Sequence, residues 1–129
     1  VGYITYTGDD KLYVHGMTFS TEEPLTGLTK FGVWLKPTTL SGGEEKIPSN
    51  MNATSALTSE TTCIHNDVTT PLIISGGDSI YTIRISGSNS FTVNFNDAII
   101  LGRNQSIGIK GSAESAGTKT RVTIDWFEE

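Results

Sequence analysis

Apolar side chains in this chain recur at every second position and almost never at helical spacing. A strand sends successive side chains to opposite faces, so such alternation marks a strand with one buried face. Ile4 and Tyr6 alternate with Thr5 and Thr7, and Leu12 and Val14 with Tyr13 and His15. Phe31, Val33 and Leu35 alternate with Gly32, Trp34 and Lys36, and Tyr81, Ile83 and Ile85 with Thr82 and Arg84. Phe91, Val93 and Phe95 alternate with Thr92 and Asn94, and Ile107 and Ile109 with Gly108 and Lys110. Val122, Ile124 and Trp126 alternate with Thr123 and Asp125. The runs are rich in β-branched and aromatic residues, which suit a pleated surface. The nearest approach to a helix, residues 53–57, is short and rich in Thr and Ser. At most one short helical turn is expected, within residues 48–59.

The punctuation agrees with a β protein. Gly8-Asp9-Asp10, Gly42-Gly43, Gly76-Gly77-Asp78 and Gly87-Ser88-Asn89 stand between the runs, and such residues supply positive φ or side-chain turn bonds. Gly87-Ser88-Asn89-Ser90 is expected to join residues 79–86 and 91–95 as a hairpin. Residues 37–59 form the largest irregular stretch, expected to cross the surface as one or two long connections with a short strand. Ile73-Ile74-Ser75-Gly76-Gly77-Asp78-Ser79-Ile80 echoes Ile99-Ile100-Leu101-Gly102-Arg103-Asn104-Gln105-Ser106-Ile107, and each copy reads as a corner into a new strand. The expectation is an all-β, two-sheet antiparallel sandwich of eight or so strands, which the resemblance described below makes jelly-roll-like. Its 129 residues fit one domain, 1–129. The expected core is Val14, Phe31, Val33, Leu35, Ile83, Ile85, Phe91, Val93, Phe95, Ile107, Ile109, Val122, Ile124 and Trp126.

Composition removes several function classes. With 36% apolar and 18% charged residues, the chain is not of the disordered type. No apolar run approaches the roughly 20 residues of a membrane-spanning helix, so no membrane insertion is expected. A net charge of −5 argues against a nucleic-acid partner. The 1 cysteine, Cys63, cannot form an internal disulfide. Val1 stands where a start methionine would, as expected of a processed chain or a C-terminal domain.

The residues point to no catalysis. Cys63 and His65 share a strand face without the surroundings of a catalytic pair, and Cys63 reads as a small core residue. Ser41-Gly42-Gly43-Glu44 lacks the lysine and helix of a phosphate loop. Asp9-Asp10 reads as a polar turn, and His15 and His65 are isolated, so no metal and no cofactor are expected. Asp125 with Glu22-Glu23 is the carboxylate pairing a glycosidase would need, and nothing in the spacing selects it. Sequons occur at Asn52-Ala53-Thr54 and Asn104-Gln105-Ser106. Aromatics opposite the expected core faces are the stronger candidates. Trp34, Tyr13, Tyr3 and Phe127 are expected at an interface or as glycan-stacking platforms.

Pro71-Leu72-Ile73-Ile74-Ser75-Gly76-Gly77-Asp78-Ser79-Ile80, then the expected hairpin, a Gly-rich corner and the terminal Arg121-Val122-Thr123-Ile124-Asp125-Trp126-Phe127-Glu128-Glu129 resemble small virion domains of tailed bacteriophages. The resemblance covers residues 70–129. Those domains are similar to tumour-necrosis-factor-like jelly rolls and serve as capsid decoration or cement proteins, or as knobs on tail needles and fibres. The resemblance implies a non-enzymatic structural or attachment protein of the virion, a homotrimer contacting other virion proteins and, in a tail role, a host-surface glycan or receptor. It leaves open whether a longer N-terminal shaft precedes Val1. Two alternatives stand beside it. One is a carbohydrate-binding module or adhesin on a bacterial surface or secreted, using Trp34 or Tyr13. The other is a hydrolase with an unrecognised carboxylate pair.

Overall fold

All seven alternating runs lie in strands, and among the described residues there is no helix. The computed structural model describes residues 2–22, 27–49, 51, 58–66, 69–114 and 118–129. The strands are β1 (Gly2–Tyr6), β2 (Leu12–Glu22), β3 (Leu28–Leu35), β4 (Thr39–Ser41), β5 (Glu44–Lys46), β6 (Thr61–His65), β7 (Ile73–Ser75), β8 (Asp78–Ser86), β9 (Ser90–Leu101), β10 (Gln105–Ala113) and β11 (Lys119–Glu128). The expected helical turn and the first sequon fall on residues 50 and 52–57, which lie outside the described residues, as does Glu23.

The strands pair as one long hairpin folded on itself. β5 pairs with β6, β4 with β7, β3 with β8, β2 with β9 and β1 with β10, all antiparallel. Such nested pairing, wound into two facing layers, is the jelly-roll arrangement. One layer is a six-stranded sheet in the order β5-β6-β1-β10-β3-β8. The other is a three-stranded sheet, β11-β2-β9. β4 and β7 make a separate two-stranded ribbon. The long connection thus holds two short strands, β4 and β5, where one was expected.

The core fills the space between the two layers. Tyr6, Leu12, Val14, Phe19, Phe31, Val33, Leu101 and Ile107 are fully buried. Leu35, Ile83, Val93, Phe95, Val122, Ile124 and Trp126 are partly buried against them. A series of aromatic contacts crosses the core: Phe19 on Phe31 at 5.3 Å between centroids, Phe19 on Tyr81 at 6.1 Å, and Tyr81 edge-on to Phe95 at 5.6 Å.

Two sequence expectations are corrected. The hairpin between residues 79–86 and 91–95 does not form: β8 pairs with β3 in one sheet and β9 with β2 in the other. Gly87-Ser88-Asn89 is instead a corner that carries the chain between layers. Buried Thr21, at the end of β2, holds it there. The Thr21 hydroxyl donates to Gly87 O at 2.5 Å, the Asn89 amide donates to that hydroxyl at 3.2 Å, and the Thr21 amide donates to Asn89 O at 2.9 Å. Phe91 faces inward opposite Phe19 but is 48% exposed, because it begins an edge strand of the narrow sheet.

The echoed Gly segments are corners, as expected. The first joins β7 to β8, where Gly77 at φ 83° leaves only 2.5 Å between a would-be Cβ and the Leu35 carbonyl oxygen. The second carries β9 into β10, with Asn104 at φ 59° donating its amide to Tyr6 O at 2.7 Å.

Replacing a ring at the centre and a side chain at the rim measures this packing. Phe31→Ala is expected to cost about 3–5 kcal/mol, whereas Ile47→Ala, 85% exposed, stays within about 0.5 kcal/mol. Urea unfolding at one fixed protein concentration gives both values.

Candidate functional site

The four aromatic candidates occupy two opposite outer faces of the sandwich, so the structure joins them in pairs and not as one site. On the three-stranded sheet, Phe127 of β11 lies opposite Tyr13 of β2, and Tyr13 lies opposite Ile100 of β9. The Tyr13 and Phe127 rings stack with centroids 4.8 Å apart and planes 12° from parallel. Phe127 is 48% exposed and Ile100 46% exposed. The stripe ends in polar groups, with the Tyr13 hydroxyl donating to Glu129 Oε1 at 3.2 Å. Farther along the same face, Thr18 contacts Thr92 through their hydroxyls at 2.9 Å, and the apolar character ends.

On the six-stranded sheet, Tyr3, Gly108 and Trp34 are neighbours across β1, β10 and β3. Gly108 leaves the gap that Ile74 of β7 fills, since a Cβ there would come 2.9 Å from Ile74 Cγ2 and 3.7 Å from Pro37 Cγ. The β4–β7 ribbon therefore covers the ground between the two rings. The ammonium of Lys110 sits 4.6 Å from the Trp34 ring centroid, a cation–π contact that occupies the ring as a platform. Both rings are half-buried.

Glu128 closes one end of the sandwich. Its position on β11 turns inward with Val122, Ile124 and Trp126, where apolar residues would continue the pattern. The carboxylate accepts from the Ser59 hydroxyl, from the Thr61 hydroxyl at 2.6 Å, from the Glu60 amide at 2.9 Å and from Trp126 Nε1 at 3.2 Å. Partial burial pushes this carboxyl up, but the bonds from Ser59, Thr61, Glu60 and Trp126 together outweigh it and hold it below its ordinary value. Beside it, the wholly buried Tyr6 hydroxyl has no hydrogen-bond partner among the described residues. Burial, and then the charges of Glu60 and Glu128, raise the pKa of that phenol.

The remaining candidates separate. Cys63 is half-buried, and its thiol is pushed up to about 11 by burial, then by Glu128 and Glu45. It is therefore protonated at neutral pH and a poor nucleophile. His65 is exposed and meets Glu44 at 3.6 Å. Asp9 pairs with Arg103 at 2.6 Å across two exposed turns. Glu22 lies opposite Lys119, and Asp125 lies opposite Gly16. That separation along β11 places the two acids roughly 20 Å apart, beyond the reach of a glycosidase pair. Among the described residues, no three His, Cys, Asp or Glu side chains gather as metal ligands.

Ile100 and Glu128 were not singled out from the sequence. Ile100 stood inside a segment read as a corner, and only the β2–β9 register sets it beside Tyr13. An acid at the end of a strand run carries no sequence signal of such a role, and only the bonds from Ser59, Glu60 and Thr61 reveal it. No family model matches the chain, and no curated protein or solved structure does. Geometry therefore carries the functional reading.

The Glu128 cluster has a pH signature. Its folded pKa lies below the unfolded value of about 4.3, so its stabilisation is complete above that pH and is lost as pH falls through the folded pKa. Glu128→Gln is expected to cost about 1 kcal/mol at pH 7, the value of a charged hydrogen-bond cluster discounted for solvent exposure. The difference from the parent protein shrinks in acid, as urea unfolding across the pH range reads directly.

Proposed function

We propose that this protein is a non-enzymatic structural or attachment module of the virion type, a capsid decoration protein or tail knob, working through contacts between copies of itself and with neighbouring virion proteins. The observation that carries the proposal is the open Phe127–Tyr13–Ile100 stripe. An apolar stripe across all three strands of an outer face gains nothing for a lone soluble domain and is covered at little cost by association. The jelly-roll winding supports the same reading, since it is the fold that the resemblance implies.

A glycan-binding module is the second reading, and one feature favours it. The exposed Phe127 ring stands beside the Tyr13 hydroxyl and the Glu129 carboxylate, an apolar surface with polar groups at its margin, as sugar rings require.

Light scattering over a range of concentrations tests the first reading. A mass of two or more chains of 13.9 kDa at micromolar concentration is expected. A mass of one chain at every concentration contradicts it. Glycan binding that Phe127→Ala abolishes, by such a single chain, moves the function to the second reading.

A further inference from the structure

The edges of the two sheets are protected unequally. β11 carries Lys119, Arg121, Asp125 and Glu128, β8 carries Asp78 and Arg84, and β5 is Glu44-Glu45-Lys46. Charged residues on an edge strand oppose pairing with another chain. β9 is also an edge, with β2 on one side and no described strand on the other. Its first half, Ser90-Phe91-Thr92-Val93-Asn94-Phe95, has no charge and no proline. A bulge ends this half, with Asn96 and Asp97 at φ 51° and 59° and the Asn96 amide bonded to Asn94 Oδ1 at 2.8 Å.

The direction of the backbone groups follows from two contacts. Asn89 O accepts from the Thr21 amide of β2 at 2.9 Å. Val93 O lies toward Gly16 of β2, 2.9 Å from the site of a Cβ there. The odd-numbered backbone groups thus face β2, and strand alternation turns those of Thr92 and Asn94 to the free edge.

The side chains are self-complementary. Phe91-Thr92-Val93-Asn94-Phe95 reads the same in both directions in its apolar positions, and Phe91, Val93 and Phe95 all face inward. Phe91 is 48% exposed, and Val93 and Phe95 are only partly buried.

We propose that β9 pairs antiparallel with β9 of a second copy, about a two-fold axis at Val93. Thr92 then exchanges both backbone hydrogen bonds with the second copy's Asn94, and Phe91 stands opposite the second copy's Phe95. The two Val93 residues form a non-hydrogen-bonded pair, the kind that brings side chains closest. The two three-stranded sheets become one continuous sheet of six, and the rings left open at the edge pack on each other. A two-fold contact is isologous and closes without leaving a second open edge. The inference rests on the proposal of self-association and gives it a surface, a register and a pairwise symmetry.

Two variants test it. Thr92→Pro removes a donor from the free edge and none from the β2 ladder. Light scattering is expected to give two chains for the parent protein, and sedimentation equilibrium at least about a tenfold weaker dimer for Thr92→Pro, with an unchanged far-ultraviolet circular dichroism spectrum. Val93→Cys is expected to form an intermolecular disulfide on mild oxidation, because the paired positions fall within disulfide reach. Placing Val93→Cys in a Cys63→Ser background removes the one native thiol from the readout. An oligomer that Thr92→Pro leaves intact, with Val93→Cys remaining reduced, overturns the β9 pairing and leaves self-association standing. A parent protein that stays a single chain overturns both. If Thr92→Pro does not fold, the cysteine variant decides alone: a cross-linked dimer supports the register, and its absence contradicts it.

Discussion

The burial of side chains between two sheets of unequal width is the constraint on which the rest of the structure depends. Where the layers overlap, β1, β2, β3 and β10 supply Tyr6, Val14, Phe19, Phe31, Val33 and Ile107, all fully buried. Toward the flanks, β8, β9 and β11 supply Ile83, Val93, Phe95, Val122 and Ile124, which pack against that centre and remain partly open. Six strands face three. A complete jelly roll of this winding would extend the narrow sheet with its innermost hairpin strands. Here β4 and β7 pair apart as a ribbon, and β5 and β6 extend the wide sheet instead. The free edge of β9 follows from that choice.

The layered β architecture was legible because it depends on period-two burial, which each run records locally. Phe31-Gly32-Val33-Trp34 is sufficient to place two side chains inside and one ring outside. What local periodicity cannot record is the partner of a strand. Residues 79–86 and 91–95 look like a hairpin, yet Thr21 from a distant strand holds their connection as a corner. Bulges hide core residues in the same way. The register shift between Val14 and Gly16 moves the inward positions of β2 from even to odd numbers, so Met17, Phe19 and Thr21 continue a pattern whose even-numbered alternation stops at Val14. Of the candidate site, the aromatics themselves were legible as outward-facing. Their division into a Tyr13–Phe127 stack and a Tyr3–Trp34 row, and the cover that Ile74 provides, depend on register and a connection with no periodicity to read.

The functional reading follows from where apolar surface is left and what borders it. The Trp34 face is partly closed by the chain's own ribbon and by Lys110. Among the described residues the three-stranded sheet has no such cover on its outer stripe, and the first half of its β9 edge lacks the charges that the other edges carry. Both features invite protein contacts, and they involve different groups: side chains on the face, backbone amides and carbonyls at the edge. Glu128 belongs to neither. It binds the Ser59–Thr61 segment to the last strand and so fixes the end of the sandwich nearest Phe127.

Amide hydrogen exchange as a function of protein concentration tests the central claim, association through β9, most directly. Backbone groups facing β2 exchange slowly in any state that keeps the fold, whereas groups at the free edge are protected only by a second chain. The Val93 amide is expected to be slow at all concentrations. The Thr92 and Asn94 amides are expected to be fast in dilute solution and to slow together as the concentration rises. If Thr92 and Asn94 exchange rapidly at every concentration while the protein self-associates, β9 is not where the copies meet.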